Sequence, residues 1–311
     1  MPPGTASIAS SPTNGSGERT LVAWGALCLF LVGWATVSVT NASETLFLKQ
    51  IGVDWLPLVF LVSSGFLAGS TYLLGKWVAS RDHGSALTTT LAIAGGYLLL
   101  LWLALITHIP GVLAVLVMSA KQIQGLALLV FWVAVGGWLD GRQAKRLIAP
   151  MMAGGTLGAA FGSFASSRIG DTFGIPTLVL VASASMALAT LSSVRLRQRS
   201  FSRLEWSGLS RRREAPTPVG IRELWTSSGL FRRLASMSLL SGLLAPILYF
   251  EFSAAADAAT RGGDGEQELL ALYGSFRGWM NMAVVGLQIG GTSWLFSRIG
   301  VPRAALSGPL I

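Results

Sequence analysis

The chain has 311 residues, of which 52% are hydrophobic and 12% are charged, and its mean hydropathy is +0.60. Soluble domains carry about 25% charged residues, so this composition excludes an ordinary soluble domain and predicts an all-α polytopic membrane protein. The net charge of +9 is concentrated, because residues 195–233 hold ten arginines and three glutamates. Two histidines and one cysteine suggest no metal-ligand cluster, and we find no nucleophile–base motif. The sequence therefore predicts neither an enzyme nor a cofactor or metal site.

Apolar segments of spanning length begin after a Pro-, Ser-, Thr- and Gly-rich stretch, 1–20, which predicts a disordered tail. A spanning helix needs about 20 mostly apolar residues. A short connection over 41–56 is expected after the first span. The predicted spans are 21–40, 57–79, 86–107, 110–139, 147–169, 175–194, 234–252 and 270–296, and a ninth begins before Ile311.

The loops alternate in their content of Lys and Arg, which predicts the orientation of the chain. Basic residues fall after the second, fourth, sixth and eighth spans, so the N-terminus is expected in the cytoplasm, with the protein in a bacterial inner membrane. Six spans (21–194), a basic linker (195–233) and a second set of spans (234–311) follow the plan of transporters with two six-helix halves. On this plan the second half is incomplete, and three helices would follow Ile311.

Glycines at four-residue spacing predict close helix–helix packing, because they lie on one helix face and let a neighbour approach. The clearest set lies in the fifth span, directly after a charged turn. A shorter motif in the second span has a counterpart in the eighth. The glycines concerned are Gly154, Gly158 and Gly162 in the fifth span, Gly65 and Gly69 in the second, and Gly286 and Gly290 in the eighth.

Lys121 is a charged residue near the expected midplane, roughly 16 Å from Pro110 at about 1.5 Å per residue. Gln124 follows it on the same helix face. Charged residues at this depth usually face a water-filled path or a partner. Lys121 is therefore a candidate substrate-binding or gating residue, and the alternative is an internal ion pair that holds helices together.

The eighth span carries a polar stripe, with steps of four, seven and four residues from Arg277 through Asn281 and Gln288 to Thr292. Such a stripe is expected to face the bundle interior, where it contacts substrate or a neighbouring helix. Glu251, late in the seventh span, is a candidate partner for Arg277; solvation in an outer vestibule is the alternative.

Two loop motifs resemble known transporter families. Gly75, Arg81, Asp82 and Gly84 resemble the loop 2–3 motif of the major facilitator superfamily, although Ser80 stands where that motif has Asp. The stretch 140–162 is similar to the loop 4–5 and helix-five signature of the ATP/ADP translocase-like (nucleotide transporter) branch, as is the block 43–48. The charged residues of the first signature are Asp140, Arg142, Lys145 and Arg146.

The resemblance implies a major-facilitator-like 6 + 6 bundle that moves an organic anion, with a nucleotide as one candidate, by alternating access. The cavity or gate charges would be Glu44, Lys49, Lys121, Glu251 and Arg277. Two buried cations, Lys121 and Arg277, are few for a triphosphate. The alternative is a non-transporting anchor or sensor module of a larger protein with a soluble C-terminal domain. Besides the solute and the lipid bilayer no nucleic acid is expected, because the arginines at 211–213 are typical of a cytoplasmic topology signal.

Overall fold

A computed structural model describes residues 15–139, 141–206, 225–261 and 265–288. These residues form eight long helices and contain no strand. The helices are α1 (Gly15–Gln50), α2 (Leu56–Ala79), α3 (His83–Ile106), α4 (Val112–Trp138), α5 (Gly141–Phe173), α6 (Thr177–Trp206), α7 (Gly229–Ala259) and α8 (Gly265–Gly286).

Seven of the described helices, α1 to α7, are long and apolar enough to cross a membrane. The chain is therefore an all-helical integral membrane protein. Only two long helices are described after α6, so the second six-helix half remains a prediction. The ninth predicted span, Gly290 and Thr292 lie outside the described residues.

Short connections with recognisable caps separate the helices. Asp82 caps α3 by accepting a hydrogen bond from the Ser85 amide at 2.9 Å, which satisfies one of the free N–H groups of the first turn. Ser228 caps α7 in the same way through the Phe231 amide. Gly111 and Gly174, both with positive φ, make the turns before α4 and α6, a conformation that glycine adopts without steric cost.

Helix α1 lies at the centre of the bundle. It packs most extensively against α5 and α6 and also contacts α4 and α8, while α3 packs against α6 and α4. The apolar core follows these contacts, with fully buried residues such as Leu87, Leu91, Leu116, Met151 and Met186. In contrast, the described part of α7 buries only Ser253 and Ala256, and its leucines from Leu239 to Leu248 are exposed in the described structure.

Several helix boundaries differ from those expected. Helix α1 continues through the predicted connection to Gln50, because no Gly or Pro interrupts it before Gly52. Residues 15–20 of the predicted disordered tail are its first turns. Helix α6 extends to Trp206 and α7 begins at Gly229, so both ends of the predicted linker are helical. The polar composition of these stretches is typical of loops. In the structure each stretch is continuous with a longer apolar helix.

The charged turn expected between the fourth and fifth spans is also shorter than predicted. Helix α5 begins at Gly141, which places the backbone of Arg142, Lys145 and Arg146 in its first turns. Asp140 lies outside the described residues. The signature residues therefore belong to the start of a helix. Residues 141–149 contain no proline, so nothing in this stretch prevents helix formation before Pro150.

The glycines of α5 form a close seam with α1. A Cβ added at Gly154 would meet the backbone of Ala26, one at Gly158 the backbone of Phe30, and one at Gly162 that of Trp34. These three α1 positions are themselves four residues apart, so the two helices run in matched register along the contact. From the other side, a Cβ at Gly33 would meet the carbonyl of Gly155.

The other predicted packing glycines differ. A Cβ added at Gly65, Gly69 or Gly286 would have no atom within 4 Å in the described part of the chain. Gly65 and Gly69 are exposed on α2, a helix that buries few of its residues. The spacing of four is the same as in α5, but no helix of the described structure covers this face.

Candidate functional site

A cluster of charged residues joins four helices inside the bundle. Glu44 on α1 lies between Arg277 on α8 and Lys121 on α4, with Tyr249 on α7 beside them. We call these residues, together with Asn41, the Glu44 cluster. Because Glu44 belongs to α1 rather than to a connection, its carboxylate is carried into the interior, where its side chain is only 2% exposed.

Arg277 is held from several directions. Its guanidinium donates hydrogen bonds to Asn41 and Glu44, and a further one to the Tyr249 hydroxyl at 3.0 Å. It also lies over the Tyr273 ring, 4.5 Å from the centroid. A planar guanidinium with several fixed donors suits such a site. Arg277 is therefore fully engaged, and its partner is Glu44 rather than Glu251, which is exposed on α7.

Lys121 is the accessible member of the cluster. Its Nζ lies 3.0 Å from Glu44 Oε1, and its side chain remains 33% exposed. The Oε1 atom is buried, and the ion pair with Lys121 sets a positive charge beside it. The ammonium also lies 4.8 Å from the centroid of the Tyr249 ring, a distance suited to a cation–π contact.

Asn41 connects the cluster to the glycine seam. Its side-chain amide donates to Ser166 Oγ on α5 at 3.2 Å while its oxygen accepts from Arg277. Ser166 in turn donates to the Gly162 carbonyl. Asn41 precedes Glu44 by three residues on one helix face. That spacing could have identified it once the segment was known to be helical.

A second charged group ties α1 to α7 and lies one to two turns beyond the cluster. Lys49 Nζ lies 2.9 Å from Asp257 Oδ1 and donates to the Thr260 carbonyl at 2.9 Å. Nearby, Gln50 donates to Glu266 at 3.2 Å. Lys49 therefore holds the last turn of α7 rather than joining the Glu44 cluster, and a cation at a helix C-terminus is favourable.

The remaining polar residues of the eighth-span stripe have separate roles. Asn281 donates to the backbone carbonyl of Arg277 at 2.8 Å, one turn back on its own helix. Gln288 accepts from Thr156 on α5 at 3.3 Å. Gln124 is exposed on α4. The neighbouring Gln122, not predicted, is buried and donates to the Ser63 carbonyl at 2.9 Å, which fixes α4 against α2.

The residues of the loop 2–3 motif act locally. Asp82 Oδ2 lies 3.2 Å from Arg197 Nη2 near the end of α6, in addition to capping α3. Arg81 lies over the Trp77 ring, 4.9 Å from the centroid, and Gly75 is exposed on α2. This motif therefore ties the end of α6 to the start of α3 within the first six helices.

The geometry defines an integral membrane protein with a charged cluster buried between its helices. The described residues include no group of three or more His, Cys, Asp or Glu that could hold a metal ion.

No family model matches the chain. Neither the curated proteins nor the solved structures contain a match. The resemblance to the nucleotide transporter branch therefore stays a prediction.

Proposed function

We propose that the protein is a secondary transporter that moves an organic anion across the membrane by alternating access. The observation that carries this proposal is the state of Lys121: a cation in a membrane span, with a side chain that is one-third exposed although it is ion-paired at 3.0 Å with a buried carboxylate. A charged residue at this depth is costly and usually serves a solute path.

The position of the cluster supports the same function. Lys121 is about 14 Å from the start of α4 at 1.5 Å per residue, near the middle of a core about 30 Å thick. The other residues of the Glu44 cluster come from α1, α7 and α8, helices from both sides of the predicted linker. Sites at the midplane between two halves are the rule in secondary transporters, so a change in the cluster's contacts would act on both halves at once.

The sequence resemblance extends the proposal to a family. We place the chain with the major facilitator superfamily, in the ATP/ADP translocase-like branch, with the N-terminus in the cytoplasm and the inner membrane as its location. The support is the signature at 140–162 and the alternation of basic loops. Nucleotides are the first solutes this placement suggests.

A second candidate is a non-transporting membrane module, and one observation favours it. Arg277 has four partners within the protein, as expected of a residue that only fixes helices together. On this account Glu44 and Arg277 form a structural bond between α1 and α8. Lys121 would then have no role in binding a solute.

Uptake into proteoliposomes separates the two candidates. Purified protein, Lys121→Ala and Lys76→Ala would be reconstituted and tested with radiolabelled benzoate, phosphate, AMP and ATP. Lys76 is a matched control because it is an exposed lysine on α2, away from the cluster. The transporter proposal predicts uptake of at least one anion by the wild type and Lys76→Ala, with a loss of about tenfold or more in Lys121→Ala. Uptake that Lys121→Ala leaves unchanged, or no uptake of any anion, would favour the module.

A further inference from the structure

We infer that the solute bound at the Glu44 cluster is a singly charged organic anion. The inference rests on the proposed function and narrows it, because it sets the charge of the transported solute. It also departs from the nucleotide that the sequence resemblance suggests. Two properties of the Glu44 cluster set the charge of the solute: the number of its charged groups and the exposure of its two cations.

The cluster carries one uncompensated positive charge. Two cations, Lys121 and Arg277, face one carboxylate, Glu44. A solute with one negative charge would neutralise this excess. A second or third negative charge beside the buried Glu44 would have no further cation of the Glu44 cluster to match it, and an unmatched charge in a dry site is strongly unfavourable.

Only one of the two cations is free to accept a new partner. The Arg277 side chain is 12% exposed and already engaged by Glu44, Asn41 and Tyr249. The Lys121 side chain is 33% exposed, and Glu44 is its one ion-pair partner among the described residues. An ammonium has three donors, so Lys121 can bind a solute carboxylate while Glu44 remains bonded to Arg277.

The other charged residue of α1 near the cluster, Lys49, has a partner of its own. Lys49 follows Glu44 by five residues, about 8 Å along the helix axis, and is engaged by Asp257 at 2.9 Å. Asp257 Oδ2 also lies 3.7 Å from Arg261 Nε, on a side chain that is 71% exposed, so Lys49 and Arg261 share this one carboxylate. A phosphate chain reaching from Lys121 toward α7 would therefore meet Asp257 as well as Lys49.

The surroundings of Lys121 also suggest the body of the solute. The Tyr249 ring lies below the ammonium, and Phe60 on α2 packs edge-on against it with centroids 5.3 Å apart. A carboxylate on an apolar or aromatic body would place its charge at Lys121 and its body against these rings.

The test uses three acids that share one ring and differ in charge: benzoate, isophthalate and trimesate, with one, two and three carboxylates. Calorimetric titration of the purified protein in detergent would give their affinities, with ATP as a fourth probe. We expect benzoate to bind at least about tenfold tighter than trimesate or ATP. Glu44→Gln raises the excess charge to two, so isophthalate should become the tightest ligand. Glu268→Gln, which removes an exposed carboxylate in the first turn of α8, should keep the wild-type order.

Two results would overturn this inference while leaving anion transport intact. One is tighter binding of isophthalate, trimesate or ATP than of benzoate by the wild type. The other is an unchanged order of affinities in a folded Glu44→Gln protein. If Glu44→Gln does not fold, the wild-type order and Lys121→Gln decide the matter. Lys121→Gln keeps the Glu44–Arg277 pair and should lose benzoate binding; unchanged binding would place the anion elsewhere. No binding of any probe would overturn the proposed function as well.

Discussion

The two ends of α1 hold their neighbours by different means. From Ala26 to Trp34 the helix contacts α5 backbone to backbone across a row of glycines, with little side chain between them. From Asn41 to Lys49 it contacts α8, α4 and α7 through charged and polar side chains. The glycine contact with α5 depends on close backbone packing and offers no alternative partner. The charged contact with α4, α7 and α8 consists of ion pairs, whose side chains can exchange partners. The proposed transport function would use both, a fixed contact between α1 and α5 and a changeable contact between α1 and the helices of the Glu44 cluster.

The largest loss in the free energy of unfolding should come from substitutions in the Glu44 cluster, at the charged end of α1. Glu44→Gln leaves Lys121 and Arg277 without a counter-charge, and breaking a buried ion pair costs about 3–5 kcal/mol. Arg277→Gln should cost less, because Lys121 still pairs with Glu44. The double variant should recover part of the loss of Glu44→Gln. Denaturant titration of the detergent-solubilised protein would measure the three free energies of unfolding. Equal losses for both single variants would contradict the shared role of Glu44.

The glycine seam should respond to a single methyl group. Gly158→Ala places a Cβ against the backbone of Phe30, and such overpacking costs about 2–3 kcal/mol. Gly65→Ala is the matched control, since a Cβ there meets open space. Both changes replace Gly by a better helix former, so the control should be neutral or slightly stabilising. The same titration measures both, and equal effects would mean that the seam is not in close contact.

The smallest loss in the free energy of unfolding is expected at Lys49, in the last turn of α1. Lys49→Gln removes the ion pair with Asp257 and weakens the bond to the Thr260 carbonyl. A partly buried pair of this kind contributes about 1 kcal/mol. Lys76→Gln, at an exposed lysine, should change the free energy of unfolding by less than about 0.5 kcal/mol. A loss at Lys49 as large as that at Glu44 would show that the two charged groups act as one unit.

The two ends of α1 also differ in how far the sequence predicts them. Four-residue spacing is visible in the sequence, and it indicated the α5 face that contacts α1. It did not indicate the partner, because Ala26, Phe30 and Trp34 carry no comparable signal. It also selected Gly65 and Gly69, which have no neighbour in the described structure. Spacing reports which face permits close packing, and the presence of a neighbouring helix decides whether it occurs.

The charged end was predictable residue by residue but not as a cluster. Lys121 and Arg277 stand out as charges in apolar segments. Glu44 did not, because the polar stretch at 41–50 is typical of a loop and only its lack of Gly and Pro indicates a continuing helix. The pairing of Glu44 with Arg277 joins residues 233 positions apart, and no local pattern reports such a contact. For this reason the sequence could offer Glu251 only as one of two alternatives, and Glu251 is exposed while Arg277 pairs with Glu44.

Ligand-dependent melting of the purified protein tests the central claim most directly. A solute that binds the folded state raises the melting temperature by mass action. Benzoate, isophthalate, phosphate, AMP and ATP would be titrated against the wild type, Lys121→Ala and Lys76→Ala. We predict a rise that depends on concentration, is largest for benzoate, persists in Lys76→Ala and is lost in Lys121→Ala. No rise with any anion, or an equal rise in Lys121→Ala, would contradict an anion site at the Glu44 cluster.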